Sequence, residues 1–140
     1  MNMINTGAAA VGKNNEEKRG KILLIDDDVD IVRFMEVLLS DRYHILAACS
    51  GREGLDRVYR DKPDLILLDL LMYDIDGYEI SRKLKSDEAT RNIPIILFTA
   101  KARKSEIQEG LEAGADDFLT KPFSNEDLFS KLERYLAAGK

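Results

Sequence analysis

Cys49 is the one cysteine in the sequence, so no disulfide can close within the chain, and a reducing, cytoplasmic setting fits. Long apolar runs are missing as well: none approaches the ~18 residues that a membrane span requires. The first twenty residues, MNMINTGAAAVGKNNEEKRG, lack both the basic start and the apolar middle of a secretory signal. There is no basic excess. The net charge of −5 argues against a general binder of nucleic acid or of membrane surfaces, so neither is expected as a direct partner. Internal repeats are absent, and low complexity is confined to the same first stretch. Small, polar and unpatterned, residues 1–20 read as a flexible leader with a net charge of +1, which leaves the acidic balance to residues 21–138.

What is present is one domain's worth of chain. The 140 residues suffice for a single core, and 44% hydrophobic with 34% charged residues is ordinary for a globular domain. Four short apolar runs stand out: KILLI (21–25), YHILAA (43–48), DLILL (64–68) and IPIILF (93–98), with DDFLT (116–120) a weaker fifth. Helical patterns lie between them. Ile31, Phe34, Met35 and Leu38 share one helical face, and Ser50 with Glu53 forms a capping box ahead of a helix over 51–62. Tyr78, Ile80 and Leu84 mark a third helix, and Ile107 with Leu111 a fourth that Gly114 can end. Ser124 opens a fifth, with Leu128, Leu132 and either Tyr135 or Leu136 facing inward.

Five strand–helix alternations call for a parallel sheet covered on both faces, and nearly unbroken aliphatic strands agree with burial on both sides. The expected fold is a doubly wound α/β domain with strand order 2-1-3-4-5. The second, more polar run is expected at an edge.

The strand ends carry the chemistry. Run one ends in Asp26 and Asp27, run three in Asp69, run four in Thr99, and run five leads to Lys121. All carboxyl ends of a parallel sheet lie on one edge, and ligands bind there where strand order reverses, between strands one and three. Asp26, Asp27 and Asp69 should therefore converge, with Thr99 and Lys121 on the rim. Like charges about 4 Å apart repel by roughly 4 kcal/mol at an effective dielectric near 20, so such a cluster needs a cation. Hard oxygen ligands without histidine or thiolate suit Mg²⁺. A carboxylate beside that metal, a lysine and a hydroxyl can act as a nucleophile toward phosphorus.

Together, LIDDD (24–28), LLDLLMYDIDG (67–77), FTA (98–100) and LTKPF (119–123) resemble the receiver domain of two-component response regulators, over roughly residues 20–138. The resemblance implies a flavodoxin-like, chemotaxis-regulator-like fold and a phosphorelay switch. It implies Asp69 as phosphoacceptor, taking phosphoryl from a phosphohistidine of a sensor histidine kinase or histidine phosphotransfer protein. It implies Asp27, Asp69 and the backbone carbonyl of Leu71 as direct Mg²⁺ ligands, with Asp26 acting mainly through water. Thr99 and Lys121 would meet phosphoryl oxygens, and Ala100 is small where that group must approach. Phe118 would be the switch aromatic, although a plain core aromatic is an open alternative. The Lys121–Pro122 peptide is expected to be cis. The output would be the face formed by the fourth helix, fifth strand and fifth helix. It would act on a downstream protein or output domain, or through a phosphorylation-dependent homodimer. A receiver is no dedicated enzyme, but it catalyses its own phosphorylation and slow dephosphorylation.

Two departures stand out. Tyr73 occupies a position where the family commonly has proline, and Leu71 and Lys101 border the path of the hydrolytic water. The sequence ends in AAGK shortly after the fifth helix, so the chain is expected either to act alone through protein contacts or to be the amino-terminal piece of a longer regulator. Asp28 and Asp30 suit the start of the first helix better than the metal, Asp116 and Asp117 a solvated turn, His44 a surface position, and Cys49 a small buried or half-buried hydrophobe. Two alternatives remain at this stage. One is a haloacid-dehalogenase-type phosphatase, in which Asp26 and Asp28 would form the D-x-D start. It fits poorly, because Asp30 follows where threonine or valine is typical, the acid pair precedes the lysine, and no cap domain is left. The other is a receiver-like binding module that never takes phosphate.

Overall fold

A computed structural model describes residues 19–100 and 103–138. The expected leader lies almost wholly outside the described residues, as does Lys101. Five strands, β1 (Lys21–Ile25), β2 (His44–Ala48), β3 (Leu65–Leu68), β4 (Ile95–Thr99) and β5 (Asp117–Thr120), alternate with five helices. These are α1 (Val29–Leu39), α2 (Gly51–Asp61), α3 (Gly77–Lys85), α4 (Lys104–Glu112) and α5 (Asn125–Ala138). The sheet is wholly parallel in the order β2-β1-β3-β4-β5, as the sequence predicts. No helix among the described residues is long and apolar enough to cross a membrane.

Alternation along each strand divides the core in two. Ile22, Leu24, Leu65, Leu67, Ile96 and Phe98 meet α1 and α5 on one face, where Met35, Leu39, Leu128, Leu132 and Leu136 complete the packing. Leu23, Ile25, Ile66, Leu68, Ile95 and Leu97 point to the other face with Val58 of α2 and Ile80 and Leu84 of α3. Each fully buried aliphatic side chain contributes about 1.5–3 kcal/mol. β2, at the edge, is only half-buried until Ala48.

Several local expectations shift. The inner face of α1 is Val32, Met35 and Leu39, rotated from the predicted stripe, and Phe34 stands half exposed beside Phe123 with ring centres 6.5 Å apart. Leu136, not Tyr135, enters the core of α5. In α4, Leu111 is 40% exposed, and the buried residue is Gly110. A β-carbon at Gly110 would collide with Leu97 Cδ1, so the missing side chain lets α4 approach β4. Gly114 ends the helix region with φ +99°, as predicted. Cys49 is exposed, contrary to expectation, because it sits just past the end of β2.

Asp116 and Asp117 are not a free solvated turn. Asp116 Oδ2 accepts from the Ile95 amide and from Lys85 Nζ, both at 2.8 Å. Asp117 accepts from Lys131 Nζ at 3.2 Å and Tyr135 Oη at 3.0 Å. The pair fastens the start of β5 to β4, α3 and α5.

Candidate functional site

Strand register brings the acids together. Ile25 lies opposite both Ala48 and Leu68, so the residues that leave β1 and β3 emerge side by side. The Asp26 amide donates to Ala48 O and the Asp69 amide to Ile25 O, each at 3.0 Å, which carries the pairing into the site itself. Carboxylate oxygens of Asp26, Asp27 and Asp69 all fall within 4.8 Å of one another. Asp26 is fully buried, Asp69 is 6% exposed, and Asp27 is on the solvent side, partly exposed.

Lys121 is brought in by the neighbouring strand pair. Thr99 is opposite Thr120, and the Lys121 amide donates to Thr99 O at 2.8 Å. From there its ammonium reaches Asp26 Oδ2 at 2.7 Å and Asp69 Oδ2 at 3.5 Å, and lies 4.7 Å from the centre of the Phe98 ring. The aromatic face under the lysine is a partner the sequence reading missed, although Phe98 stands in the FTA motif. Thr99 is buried at the same edge. The Lys121–Pro122 peptide is cis, as expected.

The loop that follows β3 has its own fixings. Asp69 Oδ1 accepts from the Leu71 amide at 3.2 Å, and the Gly77 amide donates to Leu70 O at 3.3 Å. A β-carbon at Gly77 would lie 2.8 Å from Asp69 O and from Leu70 Cα, so only glycine allows α3 to start against the backbone of Asp69 itself. Asp28 faces away from the pocket: its carboxylate caps α1, accepting from the Asp30 and Ile31 amides at 3.0 and 3.4 Å. Asp30 stands in the first turn, so both acids serve the helix start as expected. Asp26 Oδ1 accepts the Asp28 amide at 3.0 Å. Phe118 is half-buried on β5, with Lys131 Nζ 5.7 Å from its ring centre.

Among the described residues, one ammonium faces three carboxylates, which leaves an unbalanced negative charge. Burial, and then the charge of Asp26, push the Asp69 carboxyl up from 3.8 to about 6, against the opposing Leu71 amide and Lys121. The site is therefore short of positive charge, and its donors are all hard oxygens. Those properties fit a small divalent cation such as Mg²⁺, which needs one or two carboxylates and retains water for the other positions.

The comparisons agree with this geometry. Residues 22–133 match the model of the response regulator receiver domain. Response regulator PleD of Caulobacter vibrioides is 42% identical over 113 residues, covering 80% of this chain and 25% of PleD. The phosphate regulon transcriptional regulatory protein PhoB of Pseudomonas aeruginosa is 41% identical over 116 residues, 82% of this chain and 51% of PhoB. The chain thus spans a quarter to a half of these relatives. Among solved structures, the receiver domain of the Francisella response regulator 1452 superposes with a TM-score of 0.80 at 30% identity, covering 86% of this chain and 99% of that domain. With its flavodoxin-like 2-1-3-4-5 sheet and its acids at the strand reversal, the chain belongs to the response regulator receiver domain family.

Proposed function

We propose that this domain is a phosphoryl-accepting switch in a two-component phosphorelay, with Asp69 as the acceptor. The observation that carries the reading is the convergence of Asp26, Asp27 and Asp69 at adjacent strand ends, with Lys121 between two of them. A carboxylate oxygen of Asp69 attacks the phosphorus of a phosphohistidine on a sensor kinase or phosphotransfer protein. The new P–O bond forms as the P–N bond breaks, and the electron pair returns to the imidazole nitrogen. Asp27, Asp69 and the Leu71 carbonyl would hold Mg²⁺, with Asp26 acting through water. When bound, the metal offsets the charge that builds on the phosphoryl oxygens.

Lys121 then exchanges part of its contact with Asp26 for a phosphoryl oxygen, and Thr99 donates to another. Added charge of about −1.5 to −2 biases a two-state equilibrium. The readout is assigned to the α4-β5-α5 face around Phe118, and the setting to the cytoplasm. The output reached through that face is a downstream protein, an output domain or a second copy of the chain.

The phosphatase alternative requires Asp28 in the pocket, and its place as the cap of α1 disfavours it. Incubation with acetyl phosphate and Mg²⁺ tests the proposal. Wild type should take up one phosphoryl group and Asp69→Ala none. Label persisting on another residue would overturn the assignment, and rapid turnover of a generic phosphate ester would favour the enzyme reading.

A further inference from the structure

The loop between β3 and α3 holds both the acceptor and Leu71, yet its middle is fastened somewhere else. Asp74 Oδ1 accepts from the Gly51 amide at 2.9 Å, and Asp74 Oδ2 from the Arg52 amide at 3.0 Å. These are the first two amides of α2, at the positive end of its dipole. The helix already has its own start. Ser50 Oγ accepts the Glu53 amide at 3.1 Å, and Glu53 Oε1 reaches back past the cap to accept the Cys49 amide at 2.9 Å, a variant of the capping box displaced by one residue. Asp74 takes the Gly51 and Arg52 amides, which neither of those side chains reaches.

The contact is tight beyond the hydrogen bonds. A β-carbon at Gly51 would come within 3.0 Å of Ile75 Cβ and 3.2 Å of Asp74 Oδ1, so the loop is seated directly on the helix backbone. Donation by the Arg52 amide, and then by that of Gly51, holds the Asp74 carboxyl below the usual carboxylate range, so it is an anion at neutral pH. Within the same loop Asp76 caps α3 through the Tyr78 amide at 2.8 Å, and Asp69 holds Leu71. Asp69 also meets Lys121 beyond β5, within the pocket, whereas Asp74 ties the loop to an element outside the pocket. Tyr73, beside it, is exposed and leaves the backbone torsion unconstrained by a ring.

We infer that Asp74 is a positioning residue: by clamping the acceptor loop to the N-terminus of α2, it fixes the Leu71 backbone, and so the carbonyl offered to the divalent cation. The inference rests on the metal site of the proposed function. Its reach is through the loop, since Asp74 itself contacts neither metal nor phosphorus.

The test compares wild type, Asp74→Ala and Asp74→Asn in three measurements: Mg²⁺ affinity by calorimetry, amide exchange at Leu71 in metal-free protein, and urea stability. Outer contacts of metal sites are worth about 10–100-fold in affinity, and one backbone ligand among several places the loss for Asp74→Ala near tenfold. Exchange at Leu71 should quicken without metal. Asp74→Asn keeps one acceptor oxygen and should fall between. Unchanged affinity and unchanged Leu71 exchange in both variants would overturn the inference even if stability fell, because that result describes a helix cap only. If wild type itself bound no Mg²⁺, the metal site would be wrong, and Leu71 exchange would still decide whether Asp74 positions the loop.

Discussion

Replacing Asp69 by asparagine should stabilise the metal-free domain at neutral pH. The folded environment raises this carboxyl from 3.8 to about 6, through burial first and the Asp26 charge second. At 1.36 kcal/mol per unit, that difference corresponds to roughly 3 kcal/mol as an upper bound. Because Asp69 titrates as one of an interacting pair, not all of that belongs to its own carboxyl, and about 2 kcal/mol is the expected gain. The sign follows from the direction. A raised carboxyl favours the folded state while protonated, so its contribution is complete below pH 3.8 and is lost as pH rises through about 6. Asparagine never acquires the charge, and its amide oxygen can still accept from Leu71.

The gap between variant and wild type should accordingly be near zero at pH 3.5, open between pH 4 and 6, and level off above pH 7. Urea denaturation in EDTA reads it directly. A gain of about 2 kcal/mol moves the midpoint by roughly 1 M if the slope is unchanged. Mg²⁺ should close the gap, because a ligand at a hundred times its dissociation constant stabilises the protein it binds by about 2.7 kcal/mol, and the variant binds it less well. A variant no more stable than wild type at pH 7.5, or a gap that ignores pH, would refute the electrostatic reading of the pocket.

Leu71→Asn adds a side chain able to bond the hydrolytic water. It should speed loss of phosphate roughly fivefold, the equivalent of one hydrogen bond of about 1 kcal/mol; equal decay of the two phosphorylated proteins would contradict it. Gly110→Ala places a β-carbon against Leu97, and should cost about 1–3 kcal/mol in urea melts while leaving Mg²⁺ affinity intact. Lys121→Ala strips the partner from a fully buried carboxylate, with an expected loss of about 3–5 kcal/mol in EDTA that Mg²⁺ partly restores. A loss insensitive to Mg²⁺ would show that Lys121 is not balancing the acid cluster.

The strands and the acid cluster were legible because two strong patterns coincide there. Unbroken aliphatic runs announce strands buried on both faces, and parallel pairing obliges their polar ends to meet at one edge. Lys121 and Thr99 follow by the same reasoning. What escaped depends on distances that periodicity does not encode. The stripe of α1 turned by about one residue because Val32 and Leu39 fit the sheet better than Phe34, whose ring rests near Phe123. Leu111 looked like core since its spacing from Ile107 is helical, yet α4 approaches through Gly110, a residue that hydrophobic patterns do not count. Asp116 and Asp117 resemble a turn in sequence, and only tertiary folding supplies Lys85, Lys131 and Tyr135 as partners. Asp74 carried no sequence signal beyond its place inside the LLDLLMYDIDG motif, since Gly51 and Arg52 lie more than twenty residues away.

The contact of α4 with the sheet sets the energetics of rearrangement. Fully burying one leucine is worth about 1.5–3 kcal/mol, and α5 commits three leucines to its face. The buried residue within α4 is a glycine, with Ala113 buried just beyond it, while Leu111 already faces water. Sliding or tilting α4 therefore exposes less apolar surface than moving α5, though it must reseat Leu97 and break the bonds from Tyr78 Oη to Glu106 O and from Ser81 Oγ to Ala113 O. α5 is the more firmly anchored of these two helices and α4 the less costly to shift, which places the easier displacement one strand away from the acid cluster.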